Sequence, residues 1–315
     1  MTNAAEPTAA TEGANRIDLV EVGARDGLQN EDAILTTAVK VELIERMVGA
    51  GSRRIEVASF VNPERVPQMA DAESVVSALG PSPSGSSYIG LVLNRRGLER
   101  AISTTIDEVN FVVGATAGFN QANAGATQDE TMTEITQMMA DVGDRATTVT
   151  ISVAFGCPYE GGVPVADVVR LAESAATAGA DEIALGDTIG VAVPTQVVEV
   201  ITAVREVTDV PLRCHFHDTR NTAVANVATA YAAGIRSFDA SVGGAGGCPF
   251  APNATGNVAT EDLLFLFERM GVETAIDPAD TIETARWLAT QIGRELPGAV
   301  SRAGWWRLDN YPVSP

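Results

Sequence analysis

The strongest constraint on the fold is an eightfold alternation of short apolar runs with longer amphipathic segments. The segments are rich in Ala and Val, and several end in Gly just before the next run, as helices do at their C-caps. Near-continuous apolar strands that alternate with helices are typical of a parallel sheet covered by helices. Eight such units close a (β/α)8 TIM barrel, so we predict this α/β fold, with a doubly wound open sheet as the alternative. The predicted strands lie at 17–23, 54–60, 88–93, 108–114, 148–156, 182–188, 212–217 and 237–244.

The same pattern predicts one large domain. We expect a disordered, polar tail over 1–16, the barrel with a C-terminal helix over 17–300, and an irregular tail over 301–315. The helix after the eighth strand begins near Thr260, whose hydroxyl is placed to cap the first turn, and a further helix begins at about residue 281. The N-terminus lacks the basic and apolar regions of a signal peptide, and no apolar run reaches the roughly 20 residues of a membrane span. We therefore expect a cytoplasmic protein with no membrane contact.

Charge and cysteine content exclude several classes of function. The formal net charge is −20, which disfavours a nucleic-acid partner because such a partner needs a positive face. The three cysteines, Cys157, Cys214 and Cys248, form no CxxC pair and are too few for a disulfide framework. A disulfide scaffold and a zinc knuckle are therefore both disfavoured.

Both histidines of the chain, His215 and His217, lie in the stretch LRCHFHDTR at the end of the seventh predicted strand. Residues i and i+2 of a strand point to the same face, about 7 Å apart along it. In a barrel of this kind, the carboxyl ends of the strands carry the chemistry. The spacing favours two ligands of one metal ion over two unrelated, hydrogen-bonded core histidines.

Two further polar residues can complete this metal site. Asp26 lies at the end of the first strand, and Asn257 lies in the loop after the eighth strand. One carboxylate, two imidazoles and one amide oxygen suit an octahedral Mg²⁺ or Mn²⁺, with Co²⁺ or Zn²⁺ as alternatives. Arg25 and Asp26 also have a simpler interpretation, in which Asp-Gly makes a turn and Arg25 and Asp26 form a surface ion pair.

Three more residues are candidates for catalysis. Glu56 and Asp187 lie in apolar strands, where pairing with Arg25 inside the barrel and a catalytic role are equally compatible with the sequence. Cys248 follows four glycines in GGAGGCPFAPNATGN, and such glycine density indicates a mobile loop that approaches a ligand. We expect Cys248 to act as an acid or a base. Cys214 alternates with His215 and is expected to pack in the core.

Six segments together resemble the 3-hydroxy-3-methylglutaryl-CoA lyases, which are metal-dependent TIM-barrel enzymes. The resemblance covers about 17–300 and rests on VEVGARDGLQNE, RIEVASFVNPERVPQM, CPYEG, EIALGDTIGV, HFHDT and GGAGGCPFAPNATGNVATED, which occur in the family's order. The Cys248 loop followed by TGNVATED is the most specific of these segments.

The resemblance implies a role for each candidate residue. Asp26, His215, His217 and Asn257 match the metal ligands. Arg25 matches the arginine that steadies the enolate oxygen of the departing acetyl-CoA, and Cys248 matches the catalytic loop cysteine. Glu56 and Asp187 match acidic residues that support the site, and Gln29 matches a further polar contact to substrate. His215 and Asp26 are both candidates for the general base.

The implied reaction is cleavage of 3-hydroxy-3-methylglutaryl-CoA, or a related acyl-CoA, to a 3-oxo acid and acetyl-CoA. Because CoA carries phosphates and the protein is acidic, Arg95 and Arg96 are candidate phosphate ligands. Both could equally be solvated arginines. The amphipathic outer helices and the tryptophans near the C-terminus, Trp305 and Trp306, lead us to expect a homodimer.

Departures from the family pattern leave the identity of the substrate's acyl group undetermined. ARDG replaces Pro-Arg-Asp-Gly, Arg220-Asn221 replaces Tyr-Gly, and Phe250 replaces a tyrosine. Citramalyl-CoA is therefore an alternative substrate. An acetyl-CoA-dependent synthase or an aldolase of the same superfamily is a further alternative. A non-catalytic CoA-binding barrel is disfavoured because such a protein has no need of the Cys248 thiol.

Overall fold

The computed structural model describes residues 15–248 and 251–306. In this part of the chain, eight parallel strands close into a barrel in chain order, and β1 pairs with both β2 and β8. The open sheet is thereby excluded and the TIM barrel is confirmed. The strands are β1 Asp18–Glu21, β2 Arg54–Ser59, β3 Ser87–Val92, β4 Glu108–Gly114, β5 Ala146–Ser152, β6 Glu182–Asp187, β7 Leu212–Phe216 and β8 Ser237–Ala240.

Helices connect the strands and cover the outside of the barrel. The longer helices bury one apolar stripe, as α6 does with Val168, Leu171 and Ala175. The helices within the barrel repeat are α1 Thr37–Gly49, α2 Ala72–Leu79, α3 Arg95–Ile102, α4 Ala117–Ala124, α5 Gln128–Met139, α6 Val165–Ala178, α7 Pro194–Arg205, α8 Ala223–Ala232 and α9 Thr260–Arg269.

The capping role predicted for Thr260 is wrong. Helix α9 has Ala259 at its N-cap, without a side-chain cap, and Thr260 is its first helical residue. The Thr260 hydroxyl instead donates a hydrogen bond to the buried carboxyl of Glu21, 2.7 Å away. The buried carboxyl of Glu21 therefore uses the hydroxyl that the sequence suggested for the helix cap.

The chain beyond the eighth strand adds a short antiparallel pair and two helices. Strand β9, Gly247–Cys248, pairs with β10, Ala251–Thr255. Helix α10, Pro278–Ile292, starts after Asp277, whose side chain accepts two backbone amides, and so begins three residues before the predicted position. Helix α11, Ala299–Ala303, enters the region predicted as an irregular tail.

The predicted tails lie mostly outside the described residues. Residues 1–14 and 307–315 are not among them. Arg16, within the predicted N-terminal tail, forms a parallel bridge with Glu273. In the described ranges, no helix combines the length and the apolar character needed to cross a membrane.

Charged residues fill the amino-terminal end of the barrel interior. Arg54 and Glu108 begin β2 and β4, Glu182 begins β6, and Arg213 is the second residue of β7. Arg54 donates to both glutamates at 2.8 Å, and Arg213 Nε lies 3.3 Å from Glu182. These four residues are called the basal ion cluster below. Two arginines face two glutamates there, so the cluster is internally neutral.

Candidate active site at the carboxyl end of the barrel

Strand β7 directs every second side chain into the barrel. Arg213 lies deepest, His215 lies two residues further along, and His217 follows directly after the strand. The two imidazole rings have centroids 4.9 Å apart, and both residues are at least 91% buried. The period of two along a strand, which predicted a shared face, therefore produces a pair of neighbouring rings.

Asp26 approaches this pair from the first strand. A tight π-helical turn, Gly23–Gly27, follows β1 and carries Arg25 and Asp26 back over the barrel axis. Asp26 Oδ2 lies 3.4 Å from His217 Nε2 and 4.0 Å from His215 Nε2. One ligand atom from each of the three residues lies within 4.8 Å of the others, a spacing that suits a single metal ion.

Asn257 completes the set from the loop after β10. Its backbone forms a bridge to His217, and its Nδ2 donates to Asp26 Oδ2 at 2.8 Å. The same Nδ2 also donates to the Ala245 carbonyl at 3.3 Å, so the amide would have to turn by 180° to offer Oδ1 to a cation. The four predicted ligands are thus brought together, and their N and O donors fit a divalent cation.

Arg25 is held beside these ligands by two carboxylates. Its Nε and Nη2 lie 2.5 Å from Glu56 Oε2, and its Nη1 lies 2.5 Å from Asp26 Oδ1. Burial alone would lower the pKa of Arg25, but Glu56 and Asp26 outweigh burial and raise it. Glu56 also accepts a hydrogen bond from Asn110 at 2.9 Å. The guanidinium is therefore permanently charged and fixed in orientation at the site.

The charges set opposite protonation tendencies for Asp26 and His215. Burial opposes ionisation of Asp26, yet the Arg25 charge and the neighbouring imidazoles hold its pKa well below the usual value. Burial likewise opposes protonation of His215, but a hydrogen bond to Asp239 and the charge of Asp26 raise its pKa. Asp26 is therefore ionised, as a cation ligand must be, and His215 is the more basic of the two.

A cavity of about 410 Å³ opens above these groups. Arg25, Gln29 and the two histidines line its floor and wall, and Ser59 contacts Gln29 at 3.5 Å. Exposed polar residues on its rim include Asn62, Arg65, Asn94 and Tyr159. The cavity volume is in the range of small-molecule sites, so a ligand of moderate size can reach Arg25 and the ligand set together.

Residues 16–288 match the family model described as HMGL-like. The chain belongs to the HMGL-like family. It is 44% identical to (R)-citramalyl-CoA lyase of Chloroflexus aurantiacus, over 91% of this chain and 95% of that protein. It is 39% identical to hydroxymethylglutaryl-CoA lyase of Pseudomonas mevalonii, over 88% of this chain and 93% of that one.

Solved structures of HMGL-like proteins agree with this assignment. An HMG-CoA lyase from Acinetobacter baumannii, in complex with coenzyme A and 3-methylmalate, superposes with a TM-score of 0.89 at 35% identity. That match covers 96% of this chain and 99% of the other. The HMGL-like chain described here is therefore a carbon–carbon lyase that acts on a hydroxyacyl-CoA, in a family that depends on divalent metals.

Asp187 occupies a supporting position in this HMGL-like barrel. Its carboxylate ends β6, is fully buried, and accepts the backbone amides of Val191 at 2.9 Å and Ala192 at 3.1 Å. Burial raises its pKa against these hydrogen bonds. Gly186 and Thr188, the residues on either side of it, line the cavity, and Asp187 does not. The side chain thus holds the loop that forms one wall of the site.

Arg95 and Arg96, the predicted phosphate ligands, are not among the residues that line the cavity. Arg95 begins helix α3 and forms an ion pair with Asp141, and Arg96 is exposed. Arg65, which the sequence did not single out, lies on the rim instead. Among the described residues, no carboxylate lies within ion-pair distance of its guanidinium.

The side chain of Cys248 lies outside the described residues, but the backbone that leads to it donates hydrogen bonds to buried side chains. Three carboxyl groups accept its amides: Glu21 from Val242, Glu261 from Gly243, and Glu31 from Gly246, at 2.9 to 3.3 Å. At Gly246, φ is +121° and a Cβ would lie 2.9 Å from Asn257 Nδ2. Glycine at this position is therefore required by the backbone conformation and by the predicted ligand beside it.

Asp239 is a site residue that the sequence did not reveal. It lies on β8 in register with His215, and its Oδ2 is 3.0 Å from His215 Nδ1. The register between two strands decides this contact, and no local pattern in SFDASV signals it.

Proposed function

We propose that this protein is a metal-dependent lyase that cleaves 3-hydroxy-3-methylglutaryl-CoA, releasing acetyl-CoA and a 3-oxo acid. The observation that carries the proposal is the convergence of Asp26, His215 and His217 beside Arg25 at the floor of one cavity. Cleavage needs the proton of the tertiary hydroxyl removed and the thioester enolate stabilised. The site contains groups suited to both needs.

A second substrate is favoured by a specific observation. The relative with 44% identity is a citramalyl-CoA lyase, and the relatives named as hydroxymethylglutaryl-CoA lyases share 36 to 39%. Citramalyl-CoA carries the same tertiary hydroxyl and is one methylene shorter, so the same site could cleave it to acetyl-CoA and a 2-oxo acid. Methylene differences of this kind are worth only about 1–3 kcal/mol in specificity.

Each residue has a proposed task. Asp26, His215, His217 and Asn257 would hold a divalent cation, Mg²⁺ or Mn²⁺ being our preference, which supplies Lewis acidity toward the substrate hydroxyl and fixes its position. Asp26 and His215 are the two candidates for the base that takes the hydroxyl proton. A cation on His215 Nε2, with Nδ1 engaged by Asp239 at 3.0 Å, would leave that imidazole no free lone pair, so Asp26 is the proposed base while the cation is bound.

The electron pair of the broken carbon–carbon bond moves into the thioester and forms an enolate. Arg25 lies where a fixed positive charge can stabilise that enolate oxygen, while Glu56 keeps the guanidinium in place. Cys248 is proposed to return a proton to the enolate carbon, which yields acetyl-CoA. Gln29 on the cavity wall is proposed to contact the acyl group.

The test measures acetyl-CoA release from 3-hydroxy-3-methylglutaryl-CoA and from citramalyl-CoA, with Mg²⁺, with Mn²⁺ and with EDTA. Release that needs the cation and disappears in the His217→Ala variant supports the lyase. The ratio of kcat/KM for the two acyl-CoAs then identifies the substrate. Cys214→Ala is the matched control, because Cys214 lies on the same strand with its side chain buried away from the site, and it should retain activity.

Other results would contradict the proposal. Cation binding without cleavage of either thioester would leave the ligand set standing and refute the substrate. Equal activity with the cation and with EDTA would refute the metal-dependent reaction. The homodimer and the cytoplasmic location remain predictions.

A further inference from the structure

We infer that Asp239, held by Arg213, is a positioning residue that fixes the imidazole of His215 so that its Nε2 faces the cation site. This inference rests on the metal site of the proposed function. It concerns the protein's own side chains and does not depend on which acyl-CoA is cleaved.

The first step in the argument is the register of β7 and β8. His215 pairs with Asp239, and Arg213 pairs with Ser237, so neighbouring inward positions bring Asp239 beside both Arg213 and His215. Asp239 Oδ2 lies 3.0 Å from His215 Nδ1, and Asp239 Oδ1 lies 3.3 Å from Arg213 Nε. One carboxylate therefore contacts a histidine with one oxygen and an arginine with the other.

The second step concerns the tautomer of His215. An ionised carboxylate can only accept a hydrogen bond, so the neutral imidazole must carry its proton on Nδ1. Its Nε2 is then unprotonated, and this is the atom that lies 4.0 Å from Asp26 Oδ2. A carboxylate behind a ligating histidine commonly fixes both ring orientation and ligand basicity, so the contact is suited to a metal site.

The third step concerns what keeps Asp239 ionised. The guanidinium of Arg213, which is always charged, lies 3.3 Å from Asp239 Oδ1 and so favours the ionised carboxylate. Arg213 is itself 99% buried and lies 3.3 Å from Glu182 in the basal ion cluster. The arginine thus connects the charged base of the barrel to the imidazole at its mouth.

The chain has only two histidines, which makes the inference directly measurable. Nitrogen-15 NMR of histidine-labelled, metal-free protein, at about pH 9 and so above the ordinary histidine pKa of about 6.5, reports the tautomer of each ring. We expect His215 to be protonated on Nδ1 in the wild type and to become a mixture of tautomers in Asp239→Ala. Asp239→Asn keeps the shape of the side chain, and its amide oxygen can still accept a hydrogen bond from His215 Nδ1. This variant therefore distinguishes the effect of the Asp239 charge from the effect of the hydrogen bond.

The second readout is the affinity for Mn²⁺ alone, measured by calorimetry or by electron paramagnetic resonance. We expect about 10- to 100-fold weaker binding in Asp239→Ala and a smaller loss in Asp239→Asn. Glu108→Gln is the matched control. It removes an equally buried interior carboxylate that contacts neither histidine, and its Mn²⁺ affinity should equal that of the wild type.

The outcomes separate this inference from the proposed function. Unchanged His215 tautomer and Mn²⁺ affinity in folded Asp239→Ala would overturn the inference, whatever the enzyme cleaves. If Asp239→Ala fails to fold, the same two measurements on Asp239→Asn decide. The inference is also overturned if Asp239→Asn binds Mn²⁺ as tightly as the wild type and the wild-type His215 is already a mixture of the two tautomers. Loss of Mn²⁺ binding with the expected tautomer change, in a protein that cleaves neither acyl-CoA, would sustain the inference and refute only the substrate.

Discussion

The two ends of the barrel interior are both charged, but their charges are balanced differently. At the base, Arg54 and Arg213 face Glu108 and Glu182, and the hydroxyl of Thr148 donates to Glu108 at 2.7 Å. At the mouth, Arg25 faces three carboxylates, those of Asp26, Glu56 and Asp239, and Asp239 also contacts Arg213 of the base. With Arg213 counted at the base, two basal arginines match two buried glutamates, whereas the mouth has one arginine for three carboxylates. The further carboxylate beside Arg54, that of Asp18, is exposed to solvent.

This difference separates a structural set of charges from a functional one. Each basal arginine lies beside at least one glutamate, so these opposite charges compensate each other without a bound ion. The groups at the mouth satisfy each other only in part and open onto a cavity, so a cation from solution can complete them. Buried charged residues therefore do not by themselves identify a functional site. The identifying feature is a set of buried carboxylates that is only partly neutralised and lies beside a cavity.

Removing Arg25 should have the largest effect of the variants that test this difference. Arg25→Met deletes the positive charge proposed to stabilise the enolate oxygen, and we expect kcat to fall about 100- to 1000-fold, as for loss of an oxyanion donor. The measurement is steady-state cleavage of the better substrate at saturating Mn²⁺. Arg25→Lys keeps the positive charge but lacks the pair of guanidinium nitrogens that contact Glu56, so it should recover part of the lost kcat. A Met variant with wild-type kcat would remove Arg25 from the mechanism.

The corresponding change at the base should affect folding and leave catalysis nearly intact. Arg54→Met leaves Glu108 and Glu182 without their shared arginine, and breaking a buried ion pair costs about 3 kcal/mol or more. The side chain of Arg54 is 21% exposed, so we expect about 2 kcal/mol of lost stability in urea unfolding. The kcat of the folded variant should remain within about threefold of wild type. A large loss of kcat with unchanged stability would show that the two ends do not differ in the way described.

The sequence predicts the fold and the core of the site because both depend on periodicity. The repeat of strand and helix predicts the barrel, and the period of two predicts that His215 and His217 share a face. Asp239 needs the register between β7 and β8, which the sequence does not display. Arg95 follows a strand in sequence, but Asn94 caps α3 and Arg95 is directed toward Asp141. Contacts between distant elements are therefore the part that sequence reasoning cannot reach.

A third group of buried carboxyls sharpens the comparison because it has no arginine partner. Burial raises the pKa of Glu21 and of Glu261 to about 7, and both accept amides of the 242–243 backbone. The folded-state pKa of each carboxyl exceeds the unfolded value of about 4.3. Between about pH 4.3 and pH 7, the folded protein therefore binds more protons than the unfolded protein does. Stability must then fall as pH rises from about 4.5 to 7, by roughly 3 kcal/mol for each such group.

The variant Glu21→Gln imitates the protonated carboxyl. We expect it to unfold with less dependence on pH over that window, and to be more stable than wild type above about pH 7. Urea unfolding in EDTA at several pH values measures both effects, and EDTA excludes any contribution from bound cation. Parallel stability curves for the two proteins would show that Glu21 is ionised in the folded state and needs no compensating charge.

The smallest expected effect decides where the phosphates of CoA lie. Arg65 is exposed on the cavity rim, whereas Arg95 is paired with Asp141 away from the cavity. In a protein with a net charge of −20, a rim arginine is a rare attractive group for a phosphate. Arg65→Gln should raise the KM for the acyl-CoA about three- to tenfold, with little change in kcat, and the difference should shrink at high salt. Arg95→Gln and Arg96→Gln remove the same charge at positions outside the lining and should leave KM unchanged. If these two variants raise KM and Arg65→Gln does not, CoA extends along α3, as the sequence alone suggested.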